Sequence, residues 1–66
     1  MKQNTEIQTG TELKDTQNGN VIVVTETTVG DCGVQVWSES GRLQREQRMC
    51  QEHLSDAVND GELRRL

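Results

Sequence analysis

The chain is short and acidic, with 66 residues, 7 Lys and Arg against 11 Asp and Glu, and a net charge of −4. A chain of this length supports one small core, and its charge argues against a broad positive surface for nucleic-acid phosphates. It contains no apolar run of transmembrane length and no signal-peptide pattern. We therefore expect a cytoplasmic protein that is not bound to a membrane, with its two cysteines reduced.

Large apolar side chains are scarce in this sequence. Trp37 is the single tryptophan, and the chain has no Phe or Tyr. Trp37 is expected either at the centre of the core or as an exposed anchor on the sheet, where it would contact a partner. A core this thin also favours association with a protein partner or with a second copy.

The N-terminal half carries two strand patterns. Residues 1–5 are polar and unpatterned, which predicts a disordered tail before a single domain over 6–66. Residues 7–15 alternate in polarity with period two, so they predict a first strand with one exposed face. Residues 20–29 are rich in β-branched side chains, which predicts a second, central strand.

A turn at Asn18 and Gly19 joins these two strands. A three-residue loop, Gln17 to Gly19, with Gly19 in the left-handed conformation would set Leu13 opposite Val23. We expect both turn residues to be structural, because neither carries a group suited to catalysis.

The C-terminal half predicts a third strand and a helix. Residues 34–38 read as a strand that returns antiparallel to the second one, although its inward face is not determined. Residues 41–60 contain helix formers and no β-branched residue before Val58, and Gly61 suits the position just after a helix end. Apolar residues share one face of this helix at Leu43, Cys50, Leu54, Ala57 and Val58.

The predicted fold is α+β, a three-stranded antiparallel β-meander packed against one C-terminal helix. A small SH3-like β-barrel with a C-terminal helix is the alternative, because twisted meanders of this length can curl. The strand order and the placement of the glycines resemble those of SH3-like modules. No motif of that family can be assigned residue by residue.

Cys32, Cys50 and His53 are the residues of this chain best suited to bind a soft metal ion. Cys50 and His53 are three residues apart on the predicted helix, but structural zinc sites use four ligands, usually in two close pairs. We therefore expect no metal and no cofactor, with Cys50 packed as a small apolar residue. A cysteine and a histidine on a core-facing stripe also leave no room for a substrate cleft, so we expect no enzyme activity.

Arg42, Arg45 and Arg48 recur every three residues and would form a basic stripe on the predicted helix. Such a stripe can contact phosphates, although Glu46, Glu52 and Asp56 counter its charge. It supports a second hypothesis, a nucleic-acid-associated regulator, which the net charge disfavours.

The preferred functional hypothesis is a small non-enzymatic protein-interaction module or accessory factor that can form homodimers. It rests on the thin core and on the outer edges of strands one and three, which would be free for β-addition. A minor alternative is an acidic DNA mimic, based on the carboxylates Glu6, Glu12, Glu26, Asp31 and Glu39.

Overall fold

The computed structural model describes residues 7–66, which form one antiparallel sheet and one helix. The elements in chain order are β1 (Glu12–Asp15), β2 (Val21–Thr28), β3 (Asp31–Trp37), β4 (Leu43–Cys50), α1 (Gln51–Asn59) and β5 (Leu63–Arg65). The strand order is β4-β3-β2-β1-β5. The α+β class is confirmed, but the three-stranded meander is incomplete, because β4 pairs with one of its outer edges and β5 with the other.

The sheet is open, with β4 and β5 at its two edges. Strands one and three were expected to have free outer edges, but β1 pairs with β5 and β3 pairs with β4. Among residues 7–66 there is no pairing between β4 and β5, so the sheet does not close into the barrel of the alternative fold. Instead, α1 contacts both edge strands.

The first half of the predicted helix over 41–60 is a strand. Leu43–Cys50 form β4, and α1 covers only Gln51–Asn59. Residues 43–50 have good helix propensity, but their apolar residues do not form a continuous helical stripe, whereas β3 offers a full row of backbone partners. Tertiary pairing therefore overrides local propensity.

The predicted ends of the first and third strands are also corrected. β1 begins at Glu12 rather than at residue 7, because a turn at Thr9 and Gly10 separates it from the buried Ile7. β3 begins at Asp31 rather than at residue 34, because only two residues connect it to β2. The predicted tail over residues 1–5 lies outside the described residues.

The β1–β2 register differs by one residue from the predicted one. Leu13 lies opposite Ile22, not Val23. The loop has four residues because Thr16 does not pair with β2: its N–H donates to the Glu62 carbonyl at 3.1 Å. The Asp15 carboxylate accepts a hydrogen bond from the Gln17 N–H at 2.8 Å, which stabilises the longer turn.

Asn18 and Gly19 complete this turn. The Asn18 side-chain oxygen accepts from the Asn20 N–H at 2.9 Å, and the Gly19 N–H donates to the Asp15 carbonyl at 2.9 Å. Gly19 has a φ of 79°, in the left-handed region that favours glycine. The structural role of both residues stays a prediction, which a substitution at Gly19 tests.

Replacing Gly19 with valine should destabilise the protein by about 1 kcal/mol or more, because a β-branched residue is strained at positive φ. An added Cβ would also lie 2.9 Å from a carboxylate oxygen of Glu39, although that flexible side chain can move. Urea unfolding followed by circular dichroism measures the change. Gln17→Ala is the matched control and should be nearly neutral, so an equal loss in both variants would contradict this role of Gly19.

The core lies between one face of the sheet and α1. Its buried residues are Ile7, Leu13, Ile22, Val24, Cys32, Val34, Val36, Leu54, Ala57 and Leu63. Val34 and Val36 point inward, so the alternation of β3 places Trp37 on the opposite face of the sheet. We call the face away from α1 the outer face and the other the inner face.

The end of α1 follows the prediction at Gly61. The Glu62 N–H donates to the Ala57 carbonyl at 2.9 Å, and the Gly61 N–H donates to the Val58 carbonyl at 3.2 Å. With a φ of 83° at Gly61, these two bonds form a Schellman motif. The motif turns the chain back toward β1, where Leu63–Arg65 add the fifth strand.

Candidate binding surface

The outer face carries three neighbouring apolar side chains, which we call the outer apolar patch. Strand pairing sets Val21 beside Trp37, and Trp37 beside Leu43. Val21 and Trp37 are half-buried, and Leu43 is 45% exposed. Tryptophan is enriched among the residues that dominate binding energy at protein interfaces, so this patch is a candidate contact surface.

One polar side chain contacts the Trp37 ring, and cations lie further along the same row of the sheet. Its indole N–H donates to the side-chain oxygen of Gln35 at 3.3 Å, which satisfies the polar group of a half-buried residue. The same row of the sheet continues from Val21 to Lys14 and Arg64. The patch is therefore an apolar centre with cations on its β1 and β5 side.

The β4 edge lies next to this patch and is the longer of the two sheet edges. β4 has eight residues against three in β5, and all of them except Met49 are exposed. The Gln51 N–H donates to the Gly30 carbonyl at 3.1 Å. This bond determines which residues of β4 bond to β3 and which have their backbone groups pointing away from it. Because antiparallel bonding alternates, the backbone groups of Gln47 face β3, whereas those of Glu46 and Arg48 face outward.

Arg48 lies in an ion-pair cluster on the outer face. Its Nε is 2.9 Å from Asp31 Oδ2, and its Nη1 is 3.4 Å from Glu26 Oε2. The hydrogen bond to Asp31, and then the one to Glu26, raise the pKa of the guanidinium above its ordinary value. The three side chains are 40–58% exposed, so solvent screens the cluster, which orders the side chains more than it stabilises the fold.

The three arginines of the predicted stripe do not share a surface. Arg42 lies in the β3–β4 turn, where its carbonyl accepts from the Ser38 N–H at 2.7 Å. Arg45 pairs with the inward-facing Val36, and Arg48 pairs with Gly33 and carries its ion pairs on the outer face. Because residues 43–50 form a strand, the helical stripe that motivated the nucleic-acid hypothesis is absent.

A groove with a volume of about 220 Å³ opens on the inner face, between β4, α1 and the β1–β2 loop. Its lining includes Ile22, Val36, Arg45, Met49, His53 and Leu63. Arg45 Nε donates to the side-chain oxygen of Gln47 at 2.9 Å. The groove therefore combines an apolar floor with polar walls, and His53 is exposed at its side.

Cys32, Cys50 and His53 are not brought together as ligands. Cys32 is fully buried on the inner face of β3, whereas Cys50 is exposed at the end of β4. The expectation of a core-facing Cys50 is wrong because this residue ends a strand and pairs with Asp31, instead of lying on a helix stripe. Within residues 7–66, no three His, Cys, Asp or Glu side chains form a group that could hold a metal ion.

The stability of the protein should fall at alkaline pH because of Cys32. Burial, and then the nearby Asp31 carboxylate, raise the pKa of this thiol above its ordinary value of 9.0. The protonated thiol therefore favours the folded state, and this contribution is present below pH 9 and is lost as the pH rises through the folded-state pKa. For one titrating thiol, the slope of this loss is at most about 1.4 kcal/mol per pH unit.

Urea unfolding between about pH 8 and pH 10.5 measures this slope. The chain has no Tyr and two Lys, so few other groups titrate in that range. Cys32→Ala should lower stability at neutral pH but flatten the alkaline slope, whereas Cys50→Ser should keep it. A slope that is the same in wild type and Cys32→Ala would contradict the role of Cys32.

Comparisons with known proteins add no relationship. No protein-family model matches the chain, and neither curated proteins nor solved structures show a significant match to it. In the described part of the chain, no helix has the length and apolar character needed to span a membrane.

The β4 edge is the candidate binding feature that the sequence did not predict. The signal for it is weak, because "LQREQRMC" lacks β-branched residues and has no apolar alternation. The apolar stripe of the predicted helix was, however, narrow in its first half, with Leu43 as its only clear core residue before Met49 and Cys50. A helix that covers a core needs a broad apolar face. The narrow stripe over residues 43–50 could therefore have indicated a strand instead of a helix.

Proposed function

We propose that this protein is a small non-enzymatic protein-interaction module that binds an extended segment of a partner along its β4 edge. The observation that carries the proposal is the eight-residue open edge of β4 directly beside the outer apolar patch. The edge offers backbone hydrogen bonds to any extended segment, and the patch offers a site for one apolar side chain of that segment.

The composition of the core supports the same proposal. Within residues 7–66, the ten core residues include no aromatic side chain, and Trp37 instead lies half-buried on the outer face. A partner strand at β4 would cover Leu43 and part of Trp37, and would thereby add apolar burial that the small fold lacks. The interaction would contribute to stability as well as to recognition.

The exposed thiol of Cys50 supports a cytoplasmic location, which is part of the proposal. This thiol is exposed and unpaired with Cys32, and exposed free thiols persist in reducing compartments. A disulfide-forming environment would oxidise it or cross-link it to another chain.

Affinity capture from a lysate of the source organism tests the proposed function. Glu46→Pro should block the edge, since it removes an outward-facing N–H, and Trp37→Ser should remove the main side chain of the patch. Proteins retained by the wild type should be lost at least tenfold on both variants. Val29→Ser, at a fully exposed turn position, is the control and should retain them.

Circular dichroism of each variant confirms that the sheet is intact before capture. Binding that is unchanged by both Glu46→Pro and Trp37→Ser would contradict the proposal. If only Trp37→Ser loses the captured proteins, the partner binds the outer apolar patch and does not add a strand to β4.

A further inference from the structure

The order of charges along β4 determines how two copies of this edge can pair. Glu46 and Arg48 lie two residues apart, so their side chains share the outer face and their backbone groups face outward together. Two identical antiparallel edges are related by a two-fold axis, so a residue i opposite j requires j opposite i. Paired residues must also lie on the same face, so the axis passes through a residue and not between two residues.

Among the four central positions of β4, residues 45–48, only one avoids setting a charged residue opposite its own copy. Centring the axis on Arg45, Glu46 or Arg48 sets that charged residue opposite its own copy, which is unfavourable. Centring it on Gln47 instead sets Glu46 opposite Arg48 of the second copy, and Arg48 opposite Glu46 of the second copy. Opposite charges then meet twice, and a neutral amide lies on the axis.

We infer that a second copy of this chain pairs with the β4 edge, antiparallel and centred on Gln47, to form one continuous sheet through both copies. This inference rests on the proposed function, because it names the partner strand that the open edge binds. The register follows from the charges, and the direction follows from the two-fold symmetry.

The backbone of β4 fits this register. Glu46 and Arg48 are the residues whose N–H and C=O point outward, and in the inferred register they face each other, so each pair exchanges both of its hydrogen bonds. Gln47 bonds to β3 and forms the closer, non-hydrogen-bonded pair with its own copy.

The side chains of the outer face also accommodate this pairing. Arg48 has Gly33, which carries no side chain, as its direct partner in β3, and its guanidinium is held on the outer face by Asp31 and Glu26. The Gln35 side chain donates to the Glu46 carboxylate at 3.0 Å and holds it on the outer face, where Arg48 of the second copy would approach.

Mixing two charge-reversal variants tests the inference. Glu46→Arg sets arginine against Arg48 of its copy, and Arg48→Glu sets glutamate against Glu46 of its copy, so each variant alone should lose self-association. In a mixture, every facing pair is again of opposite charge, so a heterodimer should form. Sedimentation of the wild type should show the mass rising with concentration from 7.4 kDa toward twice that value, and the mixture should behave likewise.

A cysteine scan tests the register separately and does not depend on the charge variants folding well. In a Cys50→Ser background, Gln47→Cys should form a covalent dimer under mild oxidation, because directly opposed non-hydrogen-bonded residues are close enough for a disulfide. Glu46→Cys is the matched control and should not cross-link, since it faces residue 48 and not itself. Cross-linking of Glu46→Cys in place of Gln47→Cys would overturn the register.

Two outcomes overturn self-association itself. The first is a wild type that stays at 7.4 kDa up to about 1 mM, a concentration that populates even weak complexes. The second is charge variants that associate as strongly as the wild type. With either result, the wild type could still capture a different protein and lose it on Glu46→Pro. Failure of this inference is therefore distinct from failure of the proposed function.

Discussion

Replacing Leu54 with alanine is expected to destabilise the protein by about 2 to 5 kcal/mol, because a fully buried leucine loses its apolar contacts and leaves a cavity. Leu54 is 0% exposed and is the largest buried side chain that α1 contributes to the core. A 66-residue domain has a free energy of unfolding of about 3 to 10 kcal/mol, so the loss is a large share of the total. The variant should be partly or wholly unfolded at 37 °C.

Urea unfolding followed by Trp37 fluorescence and by circular dichroism measures this effect. Val29→Ala is the matched control, since Val29 is also a branched aliphatic residue but lies fully exposed at the β2–β3 turn. Its substitution should change stability by less than about 0.5 kcal/mol. A similar small cost for Leu54→Ala would contradict the packing of α1 against the sheet.

The sequence predicted those parts of the fold that depend on local chemistry. The second strand is rich in β-branched residues, and Gly19 and Gly61 occur where the chain must adopt positive φ. These signals act within a few residues of each other, so they can be read without knowledge of the tertiary structure. The α+β class follows from them.

The β1–β2 register was missed because one side chain changes the loop length. A Gln-Asn-Gly sequence is compatible with a three-residue loop, but Asp15 caps a four-residue one and Thr16 bonds to Glu62, 46 residues further along the chain. That long-range bond forms only once β5 is in place. The turn sequence alone therefore could not give the register.

The placement of Trp37 was open for a similar reason. A change of one residue in the β2–β3 connection reverses the inward and outward faces of β3. The tight turn at Val29 and Gly30, together with a β-bulge between Val24 and Glu26, sets the register in which Val34 and Val36 face the core. Composition therefore identifies Trp37 as a candidate contact residue, but its position on the outer face depends on the β2–β3 register.

The β4 strand was missed because residues 43–50 have the composition of a helix, and a pair of proline variants tests the corrected assignment. Gln47→Pro should destabilise the protein by about 3 kcal/mol, because it removes the N–H that bonds to Val34 in β3 and leaves that carbonyl without its partner. Glu46→Pro should cost much less, since the N–H of Glu46 points outward from the sheet.

This contrast between adjacent residues separates a strand from a helix. In the interior of a helix, proline at either position would remove an intrahelical bond and clash with the preceding turn, so both variants would lose about 3 kcal/mol. In an edge strand, only the residue that bonds to the neighbouring strand is sensitive, because the hydrogen bonds alternate in direction. Urea midpoints of the two variants therefore report directly on the backbone of β4. Equal and large losses in both would contradict the strand, and with it the open edge on which the proposed function depends.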